Sequence, residues 1–169
     1  EEEGLKEKEI IGKTLFSLIS PGTELASLTG AEGMFYDIFG RPLSYPYGVG
    51  YASVDRVIAT GDNVEEFNLG DIVFTMGNHA SHHRIDISKI PAVKVPSNVP
   101  IEEAPFARMC GVSMTTLRTT EARPGDLVAV FGLGLVGNLA AQVFQSSGYE
   151  VIGIEIDAGR RKIAEKCGI

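Results

Sequence analysis

Cysteine is scarce and unpatterned. The chain has two, Cys110 and Cys167, far apart and outside any C-x-x-C pair, so a zinc ribbon is excluded and spacing gives a disulfide no support. Thiols used so sparingly fit a reducing setting, and the expected location is cytoplasmic, with each cysteine reading first as a small buried hydrophobe. Positive charge is in deficit. Fifteen Lys and Arg against 22 Asp and Glu leave a net charge of -7, which offers no basic face for nucleic-acid phosphates. No apolar run reaches the roughly 18–20 residues that cross a bilayer. The opening Glu1-Glu2-Glu3 is the opposite of a signal or transit peptide. Nucleic acid and membrane are therefore not expected as partners.

What is present reads in two parts. A hydrophobic share of 44% and a charged share of 22% are ordinary for globular chains, and 169 residues hold one domain plus part of a second. Residues 10–19 are a strand candidate containing Gly12, the Pro21-Gly22 turn closes it, and 23–28 suit a short helical turn. Residues 31–48, rich in Gly, Pro and Tyr without periodicity, read as a loop. Strands are expected at 51–59, 71–75, 82–87 and 92–95, separated by Gly, Asn and Asp. Short strands at this spacing predict a compact antiparallel barrel over residues 1–100.

The character changes at Pro96-Ser97-Asn98-Val99-Pro100. A linker, 101–123, is expected to hold a helical stretch opening at Ile101-Glu102-Glu103-Ala104 and a second helix over 112–122. Residues 124–169 alternate strand and helix. The run 127–131 is wholly apolar, as for a strand buried on both faces. A helix follows at 135–146 with Val136, Leu139, Ala140, Val143 and Phe144 on one face, then a strand at 151–156 and a helix at 158–166. Two parallel strands cannot shelter a doubly wound sheet, so this part is expected to be the start of a longer nucleotide-binding domain.

The segment Phe131-Gly132-Leu133-Gly134-Leu135-Val136-Gly137 sets G-x-G-x-x-G between that strand and helix. The motif alone is weak evidence, but here it has the strand, the helix and an acidic residue ending the next strand. Gly132 suits the tight turn, Gly134 lets backbone approach a pyrophosphate, and Gly137 lets the helix lie close to the strand. Amides at Leu135 and Val136 would face the phosphates. Glu155 is placed to accept hydrogen bonds from the adenosine ribose and to repel a 2′-phosphate, which favours NAD over NADP. Arg160 and Arg161 keep NADP open, because a guanidinium can receive that phosphate. The bland alternative is a glycine turn that binds nothing.

With these residues in view, nearly the whole chain resembles the medium-chain dehydrogenase/reductase superfamily, the zinc alcohol dehydrogenase-like proteins. Ile19-Ser20-Pro21-Gly22-Thr23-Glu24-Leu25 resembles the segment after the first strands of their GroES-like catalytic domain. Gly70-Asp71-Ile72-Val73 resembles that domain's G-D-x-V turn, and Pro124-Gly125-Asp126 through Gly137 resembles the linker and nucleotide loop. The resemblance implies a GroES-like β-barrel followed by a Rossmann domain, α/β plus β. It also implies that the first hairpin is missing before Glu1 and the rest of the Rossmann domain after Ile169.

The sequence departs from the zinc-binding members. Ser20 stands at or beside their catalytic cysteine, and Gly48-Val49-Gly50 stands where they carry Gly-His-Glu, so two of three metal ligands are gone. Cys110 is slightly out of register for the third, and the four-cysteine lobe is absent. No zinc is expected. Thr23 matches the hydroxyl that relays a proton in zinc members and is the catalytic candidate, although capping the following turn is its plainer role. Glu24 reads as structural, and Thr115 and Thr116 as nicotinamide-side neighbours by resemblance only.

His79, His82 and His83 are the chain's only histidines, and on a strand His79 and His83 would share a face that His82 avoids, an awkward metal site. Phe35, Tyr36, Phe39, Tyr45, Tyr47 and Tyr51 suit either a substrate pocket or a cover for the barrel's open end. The expected function is a zinc-independent, NAD(P)-linked dehydrogenase or reductase acting on a small carbonyl, enone or alcohol, with a homodimer in the full-length parent. The alternative is a non-catalytic member that binds a dinucleotide or a partner.

Overall fold

In the computed structural model, which describes residues 4–29, 46 and 48–169, the chain divides into two units, Glu1–Pro105 and Phe106–Ile169.

The first unit is built on an antiparallel sheet. Its strands are β1 (Glu9–Ser17), β2 (Ser53–Thr60), β3 (Ile72–Thr75), β4 (His82–Asp86) and β5 (Ala92–Lys94), in the order β4-β1-β2-β3-β5. Inward side chains Ile10, Val57, Val73 and Ile85 meet Phe67 in one apolar cluster, with Val64, Ile87 and Ala92 against it. Burying each of the five side chains of the cluster itself contributes roughly 1.5–3 kcal/mol. Pairing of β1 with β2 shifts register at Ile11/Gly12 and again at Thr14/Phe16. Gly12 lies within the unbroken β1 at the first of these shifts, and a Cβ there would sit 2.7 Å from the Asp55 Cβ. Among the described residues β4 and β5 are the outer strands of this sheet.

After β1 the chain enters α1 (Pro21–Thr29), a full helix rather than a short turn. Proline at its first position costs nothing, because that N–H has no intrahelical partner. The expected helical start at Ile101–Ala104 is instead turns and a 3-10 helix, Ala104–Phe106. The helix α2 begins only at Ala107, running to Thr119.

The second unit pairs β6 (Leu127–Phe131) in parallel with β7 (Glu150–Ile154), joined through α3 (Leu135–Ser146) and followed by α4 (Ala158–Lys166). Its core is Ala141, Phe144 and Met109, with Phe144 meeting Tyr149 edge-on at 5.2 Å. Two expectations need correction. The buried stripe of α3 is Asn138, Ala141 and Phe144, while Val136 is exposed. β6 is not buried on both faces. Its Val128 and Val130 are half-buried, whereas Leu127 and Phe131 are 60% and 76% exposed, because no element among the described residues covers that side.

Candidate functional site

Chain direction reverses at the end of β6 through Gly132, whose φ of +84° only glycine adopts without strain. Its N–H donates to the Ile154 carbonyl at 2.8 Å, tying the loop to β7. Gly137 is required by contact, because an added Cβ would drive into the Gly132 carbonyl oxygen. Gly134 differs from both. Its φ is ordinary, and an added Cβ would meet nothing nearer than Arg160 Nη1 at 3.9 Å, so the space over it is open.

The first turn of α3 leaves amides without partners, as every helix start does. Among the described residues no acceptor faces the N–H groups of Gly134, Leu135, Val136 or Gly137. Glu155 reaches this loop from just beyond β7. One carboxylate oxygen accepts the Leu133 N–H at 2.7 Å and the other the Asp157 N–H at 2.9 Å. The Asp157 and Leu133 amides hold its pKa below the usual carboxylate value, so it is a standing anion at neutral pH. The side chain is only 4% exposed, and Arg160 Nη1 lies 3.8 Å from it with a guanidinium 59% exposed.

Arg161 is committed elsewhere, donating to the Glu155 and Ile156 carbonyls at 2.8 Å each. Asp157 caps α4 by accepting the Arg160 amide, which fixes the base of the Arg160 side chain. Phe131, Gly132, Ile154, Glu155, Ile156 and Arg160 line a cleft of about 400 Å³ at the carboxyl ends of β6 and β7. A neighbouring cleft of about 410 Å³ runs along Gly134, Leu135, Asn138 and Gln142 to the same arginine. Asn138 accepts from Gln142 at 2.6 Å, while its own Nδ2 is buried without a partner. Bare amides, an open glycine, an unpaired side-chain donor and a fixed anion next to a free-ended cation fit a dinucleotide.

In the first unit, the segment expected to hold Thr23 folds differently from the expectation. Thr23 lies inside α1 and does not cap it. Glu24 makes the cap, its Oε1 accepting the Ser20 N–H at 2.7 Å. The Thr23 hydroxyl instead accepts from Tyr51 at 3.3 Å and from Ser20 at 3.4 Å. The other oxygen of Glu24, Oε2, lies 3.0 Å from Nε2 of His79, whose Nδ1 lies 2.9 Å from the Ser17 hydroxyl.

The histidines do not assemble. His79 is in the loop before β4, His82 is exposed, and His83 is buried with Nδ1 3.0 Å from Asp55. Asp55 also accepts from Ser53 and Thr75, each at 2.9 Å. Sequence reading missed both carboxylate–imidazole pairs, which span long separations; the one local signal was glycine next to each ring. A Cβ on Gly50 would sit 2.9 Å from the His79 ring, and one on Gly77 2.6 Å from His83. Among the described residues no three His, Cys, Asp or Glu side chains group as a metal site.

The remaining candidates are scattered. Thr115 and Thr116 are exposed on α2, where Thr115 donates to the Gly111 carbonyl. Both cysteines are free. Cys110 is half-buried, with burial pushing its thiol up, but Cys167 is exposed, contrary to the expectation of a buried hydrophobe. Phe35, Tyr36, Phe39, Tyr45 and Tyr47 lie outside the described residues. No helix among the described residues is long and apolar enough to cross a membrane.

No sequence-family model matches the chain. Curated relatives do. An alcohol dehydrogenase of Geobacillus stearothermophilus is 33% identical over 84 residues, 47% of this chain and 25% of that protein. A D-guloside 3-dehydrogenase of Shigella flexneri is 25% identical over 185 residues, 99% of this chain and 53% of its own length. Among solved structures, the Escherichia coli quinone oxidoreductase complexed with NADPH superposes at a TM-score of 0.71 with 22% identity, over 98% of this chain and 49% of that one. The chain spans about half the length of the curated relatives that it matches throughout.

Proposed function

We propose that this chain of the medium-chain dehydrogenase/reductase superfamily is part of a zinc-independent oxidoreductase that binds a nicotinamide dinucleotide on its glycine loop. The observation that carries the reading is the set of amides from Gly134 to Gly137 without partners among the described residues, with open space over Gly134 and an ionised Glu155 on the same loop. A pyrophosphate would gain charge-assisted hydrogen bonds there at little reorganisation cost. The cofactor, when bound, supplies the hydride chemistry.

Under this reading Gly132 shapes the turn, Gly134 leaves room for the diphosphate, and Leu135 and Val136 present amides to it. Glu155 faces the adenosine ribose and favours NAD, while the exposed end of Arg160 is the group able to receive a 2′-phosphate. Zinc independence rests on the donor set, since Val49 and Gly50 carry no metal-binding atoms and Ser20 is a poor substitute for a thiolate. The substrate class is a small carbonyl, enone or alcohol. The full-length protein is proposed to work in the cytoplasm, as a homodimer.

Fluorescence titration of the full-length protein with NADH and NADPH tests the binding step, and a screen of quinones and enones for cofactor oxidation tests turnover. Binding to the glycine loop with NADH preferred is the expected result. Absence of binding by either dinucleotide overturns the reading. A second reading, a non-catalytic dinucleotide binder, is favoured by the loss of metal ligands, and binding without any turnover would support it.

A further inference from the structure

The cleft of about 410 Å³ between α3 and α4 is lined wholly by residues of the second unit. Its walls are apolar along Leu135, Leu139 and Ile163, and they carry the amides of Asn138 and Gln142 and the guanidinium of Arg160. Asn138 is 8% exposed, and its Oδ1 accepts from Gln142 Nε2 at 2.6 Å, which fixes the way its amide faces. The Nδ2 is buried and has no partner among the described residues. A buried donor left unbonded is costly, so an incoming acceptor gains more here than it would from a solvated amide. Arg160 supplies charge. Among the described residues its guanidinium has one ion pair, to Glu155, long at 3.8 Å. Its Nη1 stands 3.9 Å from where a Gly134 side chain would begin, and the Gly134 carbonyl accepts the Asn138 N–H one turn along. Cation and orphan donor therefore both lie toward the N-terminal end of α3. Arg160 also borders the cleft over Glu155, so one guanidinium serves two clefts.

We propose that the α3–α4 cleft binds a small amphipathic monocarboxylate, an alkyl or aryl acid, and that this ligand selects between dinucleotides by occupying Arg160. Its apolar body lies along Leu135, Leu139 and Ile163, and its carboxylate accepts from Asn138 Nδ2 and pairs with Arg160. One cation and one orphan donor set in apolar walls suit a single negative charge on an apolar body, and the volume is that of a small-molecule site. A 2′-phosphate needs the same guanidinium, so the two anions exclude each other, whereas the ribose of NAD is held by Glu155. By linkage the acid and NADPH weaken each other by the same factor. The selection between dinucleotides rests on the dinucleotide reading above; the cleft and its ligand do not.

The test uses the full-length protein with octanoate as the probe. The side-chain amide ¹⁵N–¹H resonances of Asn138 are followed as octanoate is added without any dinucleotide, and a saturable shift is expected. 1-Octanol keeps the chain and drops the charge, so it should bind about tenfold more weakly. No Asn138 shift, or equal affinity for the alcohol, overturns the site. Asn138→Leu is close in volume and has no donor, and calorimetry should find its octanoate affinity about tenfold lower. Ile163→Glu sets a carboxylate on the apolar wall at a position already 58% exposed. It should abolish octanoate binding and leave NADH affinity unchanged. Full octanoate affinity in folded forms of both variants overturns the placement. Saturating octanoate should weaken NADPH about tenfold and spare NADH. Equal weakening of both dinucleotides would put the acid on the glycine loop and overturn the selection. If neither dinucleotide binds the unsubstituted protein, the dinucleotide reading falls and the selection with it, while the Asn138 shift still decides whether the cleft takes its acid.

Discussion

Asp55 and Glu155 are both carboxylates almost stripped of solvent, yet the two units use them in opposite ways. Asp55 is fully buried, and side chains complete it: Ser53, Thr75 and His83 surround it, and His83 continues to the Asn78 carbonyl at 3.0 Å. Each of these side chains bonds another group of the protein. Glu155 is held by two backbone amides, and the next amides along the loop, from Gly134 onward, have no partner. A finished polar network stabilises a fold, whereas an unfinished one of backbone donors is a binding surface.

The sharpest way to break this contrast is to remove the closed network. Asp55→Ala removes the one acceptor shared by a buried imidazole and two hydroxyls and should cost about 3–5 kcal/mol in a urea unfolding measurement, with no change in dinucleotide affinity of the protein that remains folded. Gly137→Ala comes next. Its methyl must displace α3 from the Gly132 carbonyl, so stability should drop by about 1–3 kcal/mol and dinucleotide binding should fall with it. Unchanged melting would show that the loop tolerates contact the geometry forbids.

Glu155→Ser should weaken NADH by roughly tenfold, about 1.4 kcal/mol, and NADPH less, as read by paired titrations. Equal losses would remove the carboxylate from the ribose. The same residue gives a pH signature. Its folded pKa lies below the ordinary value of 4.5, so its stabilising contribution is complete above that value and disappears as pH falls through the folded pKa. Thermal melts at decreasing pH should therefore show an acid-side loss that Glu155→Gln flattens. The smallest effect on folding belongs to Gly134→Ala, within about 0.5 kcal/mol, because the added methyl enters open space. Dinucleotide affinity should still decline, separating binding from folding at one atom.

Much of the second unit was legible because its signals are local. The apolar run before Gly132, the three glycines and Glu155 lie within a short stretch, and each glycine has its own geometry: a positive φ at Gly132, a close contact at Gly137 and open space at Gly134. The first unit was legible in its strands and not in its chemistry. Thr23 attracted attention by position in a motif, while Glu24 and His79 are 55 positions apart, a separation at which periodicity carries no information. The exposed side of β6 was misread for a related reason. An apolar run records the burial a strand is built for, and the described chain supplies cover on one side only.

Gly50 carries a consequence for how the segment around His79 can change. Its φ is +92° and the His79 ring fills the volume its side chain would need. Any residue introduced there must flip the backbone and evict the imidazole together. A side chain introduced there by a single substitution therefore meets backbone strain and a displaced ring at once.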